Sequence, residues 1–425
     1  MKIALIGGGG REHALAYKIC ESDLCEKLYC LPGNAGTSKI AENVEIAVDD
    51  IERIVKFCKD NTVDLVVVGP EDPLAKGIVD MLEKEGIKAF GPKKDAAKIE
   101  ASKSFAKYIF KKYGIPTAEY ETFDNYDDAV RYVKQKGAPI VIKADGLAAG
   151  KGVTVAEKEE EAINALKTIF LDKKFGNAGS SVVIEEKLTG EEASFLVFSD
   201  GDSILPMIAA QDHKPVFDGD KGPNTGGMGV YAKAPIVDKQ LEKEIIEKFM
   251  KRAIDGLKAE GIEYKGVLYA GLMIDENKQP KILEFNCRFG DPETQAILPL
   301  MDSDIVEIFL SCIDNTLASK SINWKDKYAV SVVAASGGYP GSYEKGKVIE
   351  GLDEVEKLDD IFVFHAGTKI CDGKVVTNGG RVLNVVGLDK DFKKAQEKAY
   401  KAIKMIHFDD MHFRNDIGNK AYKYL

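Results

Sequence analysis

Residues 63–69, VDLVVVG, contain almost nothing polar. A strand can use such a run only when both of its faces are covered, as in a parallel sheet flanked by helices. The neighbouring segments carry the same message. KIALIG (2–7) reads as a strand and is followed by helical character from Arg11 to Ile19. KLYCLPG (27–33) is a second strand, VEIAV (44–48) is short and β-prone, and DIERIVKFCKD (50–60) is amphipathic. PLAKGIVDMLEKEG (73–86) is a helix ended by glycine, and IKAFG (87–91) closes the set. Alternation of strand and helix predicts an N-terminal doubly wound parallel sheet over residues 1–101.

The loops after these strands hold GGGGR (7–11), LPGNAGT (31–37) and GPEDP (69–73). Ligands of open α/β sheets bind beyond the carboxyl ends of the strands, so a small ligand is expected there. A dinucleotide fits poorly. Counted from Gly8, the third position of G-x-G-x-x-G is His13, and the second strand ends in PGNAG rather than in a ribose-binding acid. A phosphate gripped by the GGGGR amides and the helix start fits better.

The middle of the chain, 102–327, mixes elements differently. DAAKIEASKSFAKYIFKKYG (95–114) reads as one basic amphipathic helix, and KQLEKEIIEKFMKRAIDGLKAEG (239–261) as a long one. APIVIKA (138–144) and GVTVA (152–156) are strands around a glycine-rich stretch. The stretch KADGLAAGKGV (143–153) is not a Walker A loop. Gly146 and Gly150 are one residue too close, Gly152 stands where Ser or Thr should bind the metal, and a strand follows instead of a helix. A glycine-rich hairpin can still bring backbone amides to a triphosphate, with Lys143 at its base.

Three further stretches carry chemistry. In LEFNCR (283–288), strand alternation places Leu283, Phe285 and Cys287 toward the core, and Glu284, Asn286 and Arg288 in a row on the other face. An acid, an amide and a guanidinium suit a hard cation and a phosphoryl group. In VVIEEKLTGEE (182–192), a strand runs into a connector whose backbone can read an adenine edge, and Glu192 can take ribose hydroxyls. QDHKPVFDGDKGPNTGGMGV (211–230) reads as turn-rich with little regular structure, and a long irregular stretch inside a compact domain is usually functional. After residue 327, YAVSVVAASGGYPG, FVFHAGTKI and GGRVLNVVGL make a β-rich C-terminal domain, 328–425.

The basic helix with Lys103, then Lys143 before its hairpin, then IEEKL, then LEFNCR, resembles the ATP-grasp arrangement, in which two subdomains clamp ATP between sheets. Together with REHALA, PGNAGT, VGPEDPL, GEEASF, QDHK, GPNTGGMG, GDPETQ, HAGTK and NGGRVL, the chain is similar along nearly its whole length to the phosphoribosylamine–glycine ligase family. The resemblance implies an ATP-grasp domain with a small hinged subdomain at about 118–188. It implies ligation of glycine to 5-phosphoribosylamine through glycyl phosphate, with ATP and Mg²⁺ or Mn²⁺. Lys103, Lys143, Gly150 and Lys151 are then expected at the phosphates, and Glu185, Glu186, Leu188 and Glu192 at adenine and ribose. Glu284 and Asn286 are expected at the metal. Asp212, Lys214, Asn224, Thr225 and Arg288 are expected around glycine and phosphoribosylamine, and Gly10, Asn34, Pro70 and Glu71 at the sugar phosphate. Arg288, Lys143 and Asp212 are the expected catalytic groups. Many ATP-grasp enzymes carry a second metal-binding acid on the preceding strand; here that stretch, YAGLMI (269–274), has none, and the first acid after it is Asp275.

Composition narrows the class further. A formal net charge of -10 argues against general nucleic-acid or anionic-membrane binding. No apolar run approaches the roughly 20 residues of a membrane helix. Seven cysteines without a C-x-x-C pair fit reduced thiols in a cytoplasmic protein. A monomer or weak dimer, with small-molecule substrates as its partners, is the expected state.

Overall fold

The computed structural model describes residues 1–147 and 152–425. Its N-terminal sheet has five parallel strands in the order Glu42–Asn43, Lys27–Pro32, Lys2–Gly7, Leu65–Val68, Lys88–Phe90. Leu65, Val66, Val67 and Val68 are all buried, as a doubly covered strand requires. The pairing at this sheet's edge falls on Glu42 and Asn43, not on VEIAV, whose residues 44–48 are not a strand.

A ten-stranded sheet forms the body of the molecule. Its path runs Pro280–Asn286, Lys265–Ile274, Glu191–Asp200, Ala210–Asp212, Gly229–Ala232, Tyr328–Ser336, Arg381–Asp389, Ile361–His365. Val230 pairs with Ser331, so the sheet passes without a break from the central region into the C-terminal one. The helix Phe392–Ile403 packs so closely on Arg381–Asp389 that a Cβ on Gly387 would lie 2.4 Å from the Ala395 carbonyl oxygen. The stretch 211–230 is more regular than its sequence suggests. It holds Ala210–Asp212, a small hairpin of Pro215–Phe217 with Lys221–Asn224, and Gly229–Ala232.

A separate four-stranded antiparallel sheet, ordered Tyr120–Phe123, Val182–Glu186, Ile140–Ala144, Val153–Ala156, carries helices Tyr126–Lys136 and Glu159–Phe170 on one face. Ile140, Ile142, Ala144, Val182 and Ile184 join those helices in a core of their own. Strand alternation then turns Lys143 and Glu185 to the opposite face, toward the ten-stranded sheet.

The basic stretch 95–114 is two helices, Lys94–Ala101 and Lys103–Tyr113, not one. Ser102 is extended, and its side chain accepts from the Phe105 amide. Asp145 reinforces the break from outside, accepting from the amides of Lys103 (2.5 Å) and Ser104 (3.2 Å) and from the Ser104 hydroxyl (2.5 Å). The long helix 239–261 keeps its course but contains a π turn at Ile246–Met250.

The N-terminal sheet meets the C-terminal strands at two buried histidines. The His365 amide donates to His13 Nδ1 (2.8 Å), and Asn34 Nδ2 donates to the His365 carbonyl (2.7 Å). Burial holds both imidazoles down at about 3, with the Lys39 charge adding to the effect. The unfolded chain, with histidines near 6.5, therefore binds more protons between pH 3 and 6.5. Stability should fall as pH drops through that window, by roughly 2 kcal/mol per histidine at pH 5. Urea unfolding at pH 7 and pH 5 checks this; His365→Phe should flatten the dependence, and an unchanged slope would contradict it.

Candidate active site

The site is the cleft between the four-stranded sheet and the strand Pro280–Asn286. Its deepest feature is a charge triad. Glu185 is 3% exposed, with one carboxylate oxygen 3.1 Å from Lys107 Nζ and the other 2.9 Å from Lys143 Nζ. Lys107 also donates to Thr117 Oγ1 (2.7 Å) and lies 5.0 Å from the centre of the Tyr120 ring. Burial pushes the Lys107 ammonium down to about 8, partly offset by Glu185 and deepened by Lys143. Glu185 is therefore committed to two lysines rather than free for the nucleotide base. Glu186 is also tied, accepting from Lys281 Nζ (2.8 Å) and the Glu119 amide (3.1 Å). Leu188 is half-buried and lies two residues past the end of this strand, in the connector.

Lys143 also donates to the Leu283 carbonyl (3.2 Å). That carbonyl is available because the strand is irregular here: Gly271 pairs with Glu284, but Leu272 pairs with Ile282. Leu283 is the extra residue, so Ile282 faces the core and Leu283 does not, contrary to simple alternation. Beyond the irregularity the expected parity holds. Phe285 and Cys287 are buried in the core, while Glu284 is exposed to the cleft. The walls of the cleft desolvate Glu284 and oppose its ionisation, but the positive field of Lys214, Lys143, Lys103 and Arg288 holds its carboxyl below the usual range. Lys103 donates to the Gly146 carbonyl (2.8 Å), and burial lowers its pKa. Gly150 and Lys151 lie outside the described residues.

Arg288 joins the N-terminal sheet to this cleft. Its Nε lies 3.0 Å from Glu71, and its Nη2 lies 3.0 Å from Glu100 and 3.2 Å from Asn286 Oδ1. Despite burial, Arg288 and Arg11 hold the Glu71 carboxyl at about 2. Pro70 is the cap residue before the helix Glu71–Lys76 that begins with this acid.

Glu284 and Asn286 fit a single magnesium ion: one cleft-facing carboxylate and one amide oxygen, with nucleotide oxygens to complete the shell. Among the described residues, no group of three or more His, Cys, Asp or Glu side chains is arranged to hold a metal without such help. Asp275 does not extend the set, because its carboxylate accepts from the Asn277 (2.9 Å) and Gln279 (2.8 Å) amides of the turn.

Beside this row opens a cavity of about 480 Å³ lined by Glu191, Glu192, Asp212, Lys214, Asn224 and the C-terminal Lys420, among others. Lys214 is ion-paired with Glu192. Although burial opposes it, Glu192, Asp212 and Glu284 raise the Lys214 pKa well above its ordinary value. Thr225 is scaffolding rather than a free donor: its hydroxyl donates to the Lys214 carbonyl (2.7 Å) and accepts from the Gly227 amide (2.9 Å).

The loops of the N-terminal sheet are not gathered into this cavity. Asn34 does not offer a free amide to a sugar phosphate. Its Nδ2 donates to Gly8, Gly9 and His365 carbonyls, and its Oδ1 accepts from Gly36 and Thr37. Gly10 opens the helix Gly10–Cys20, where a Cβ would press on Asn384 and Gln295. The Gly9 amide expected to meet a phosphate is occupied by Glu12 (2.7 Å).

Lys107, Glu100 and Asp145 escaped the sequence reading, although a signal existed for two of them. Lys107 is one helical turn after Lys103, and Glu100 is three residues before it.

Comparison with known proteins places the chain in a family. The family model described as "Phosphoribosylglycinamide synthetase, ATP-grasp (A) domain" matches residues 101–294, and the N- and C-domain models match 1–100 and 329–420. A biotin carboxylase from Campylobacter jejuni solved as a β,γ-ATP complex superposes with a TM-score of 0.74 at 16% identity, covering 97% of this chain and 92% of that one. The chain is thus of the ATP-grasp ligase class. A phosphoribosylamine–glycine ligase from Caldanaerobacter subterraneus subsp. tengcongensis is 50% identical over 418 residues, 98% of this chain and 99% of the relative. One from Nostoc sp. is 51% identical over 425 residues, covering 99% of this chain and all of the relative. The crystal structure of the Thermotoga maritima phosphoribosylamine–glycine ligase gives a TM-score of 0.86 at 34% identity, covering 98% and 100%. The chain belongs to the phosphoribosylglycinamide synthetase family.

Removing Glu185 leaves two buried ammonium groups facing each other. Glu185→Ala should cost about 3–5 kcal/mol of stability. Equilibrium unfolding checks this; a loss below about 1 kcal/mol, the scale of an exposed pair, would contradict the buried triad.

Proposed function

We propose that the chain joins glycine to 5-phosphoribosylamine, giving glycinamide ribonucleotide, ADP and phosphate, by way of glycyl phosphate. The observation that carries the reading is the single cleft that collects Lys103, Lys143, Glu284 and Arg288. A phosphoryl-transfer site needs fixed positive charge and a metal carboxylate, with no protein nucleophile. Membership of a family whose relatives bear this ligase name supports the substrates and the place in de novo purine synthesis.

In this reading ATP lies between the two sheets, with its base at the connector of Glu186 and Leu188 and its ribose near Glu192. Lys103 and Lys143 hold phosphate oxygens, and Glu185 keeps Lys143 in place. A glycine carboxylate oxygen attacks the γ-phosphorus, and ADP departs. Bound magnesium, held by Glu284 and Asn286, supplies charge neutralisation at the phosphates. Arg288, fixed by Glu71 and Glu100, stabilises the transferring group. Asp212, Lys214, Asn224 and Thr225 border the glycine and phosphoribosylamine site, and Gly10, Asn34, Pro70 and Glu71 shape the sugar-phosphate side, as backbone or framework where their side chains are already paired. The organisation proposed is 1–101, 102–327 and 328–425, in a cytoplasmic enzyme. No helix among the described residues is long and apolar enough to cross a membrane.

Without an added nucleophile such as hydroxylamine, ADP release should require glycine, freshly generated phosphoribosylamine, ATP and magnesium together. Turnover without glycine, or unchanged with another amino acid, would contradict the reading. Glu284→Ala should fold normally and lose at least about 100-fold in kcat. Near-normal turnover in that variant would remove Glu284 from the metal site.

A further inference from the structure

Four acids line the cavity beside the metal row, and three of them are paired. Glu192 is bound to Lys214. Glu191 accepts from Lys423 Nζ (2.5 Å) and Tyr424 OH (2.9 Å). Asp220 is held by Arg414 (3.0 Å) and Lys420 (2.7 Å). Asp212 differs. It is 8% exposed and lines the cavity, yet among the described residues no donor reaches its carboxylate within hydrogen-bond distance. A carboxyl that opens on a cavity with no side-chain donor upon it is ready for a ligand.

The groups around Asp212 favour uptake of a proton. Within electrostatic reach lies Glu293, 2% exposed, whose Oε1 accepts from Ser194 Oγ (2.9 Å) and Tyr269 OH (2.8 Å). Burial raises the Asp212 carboxyl to about 7; Lys214 and Lys420 oppose this, and Glu293 and Glu192 add to it. Asp212 in turn raises the pKa of Tyr269, whose phenol stays protonated through burial.

We infer that Asp212 is the proton acceptor of the second half-reaction, taking the proton that the phosphoribosylamine nitrogen must lose as it is acylated. The inference rests on the glycyl phosphate reading and adds the fate of the proton to it. The amine nitrogen forms a bond to the glycyl carbonyl carbon. The carbon–oxygen bond to phosphate breaks, and its electron pair leaves on phosphate. The N–H proton passes to the Asp212 carboxylate. Glu293 is a positioning residue, since its fixed negative charge raises the proton affinity of Asp212 without touching the substrate.

Hydroxylamine separates the two halves of the reaction, because it captures an acyl phosphate with little need of a base. Wild-type protein with ATP, magnesium and glycine should yield glycyl hydroxamate. Asp212→Asn should lower transfer to phosphoribosylamine at least about 100-fold more than it lowers that yield. Asp212→Glu should recover part of the transfer rate. Wild-type transfer should slow below pH 7, as Asp212 gains a proton, and Glu293→Gln should move that limb to lower pH. Parallel loss of hydroxamate and transfer in Asp212→Asn, undiminished transfer, or no recovery with Glu would overturn the assignment. Absence of hydroxamate from the wild-type protein would instead overturn glycyl phosphate itself.

Discussion

A cleft that binds a polyanion must hold positive charge away from water before the anion arrives. Here the charge is held by Glu185, a buried carboxylate between two buried ammonium groups, Lys107 and Lys143. The triad carries one net positive charge when both lysines are protonated. Lys107 comes from the helix Lys103–Tyr113, and Lys143 and Glu185 from neighbouring strands of the four-stranded sheet. One ionic contact thus ties a helix to that sheet and aims Lys143 at the strand of Glu284. Desolvating three charges is costly, so the arrangement is better understood as positioning than as a source of stability.

Arg288 solves the same problem on the other side. Glu71 and Glu100 keep the guanidinium in place, and Asn286, two residues earlier, accepts from it. Glu71 opens the helix Glu71–Lys76 that follows the strand Leu65–Val68, so the N-terminal domain reaches this cleft through an ion pair. The ten-stranded sheet completes the framework. It carries Glu284 and Asn286 at one edge and, strand by strand, Glu192 and Asp212 toward its middle.

Much of this was legible in the sequence. The parallel sheet followed from VDLVVVG and its neighbours, and the row Glu284, Asn286, Arg288 followed from strand parity. Parity failed at Leu283, because an extra residue in one strand leaves no mark in the pattern of polar and apolar residues. The break at Ser102 was hidden for a similar reason. Helical periodicity continues through it, and the group that stabilises the break, Asp145, is 43 residues away in sequence. Asn34 and Thr225 were legible as polar loop residues, but not as groups whose hydrogen bonds close on their own loops. The short strands within 211–230 pair with distant or irregular partners, so no local pattern announces them.

The most direct test of the account follows an oxygen atom. Glycine labelled with oxygen-18 in its carboxylate should transfer one labelled oxygen to inorganic phosphate in each turnover, because that oxygen first attacks the γ-phosphorus and then leaves with it. Mass spectrometry of the released phosphate reads the result. Phosphate carrying one glycine-derived oxygen is the predicted outcome. Phosphate free of label, formed at the same rate as glycinamide ribonucleotide, would contradict activation of the glycine carboxylate in this cleft.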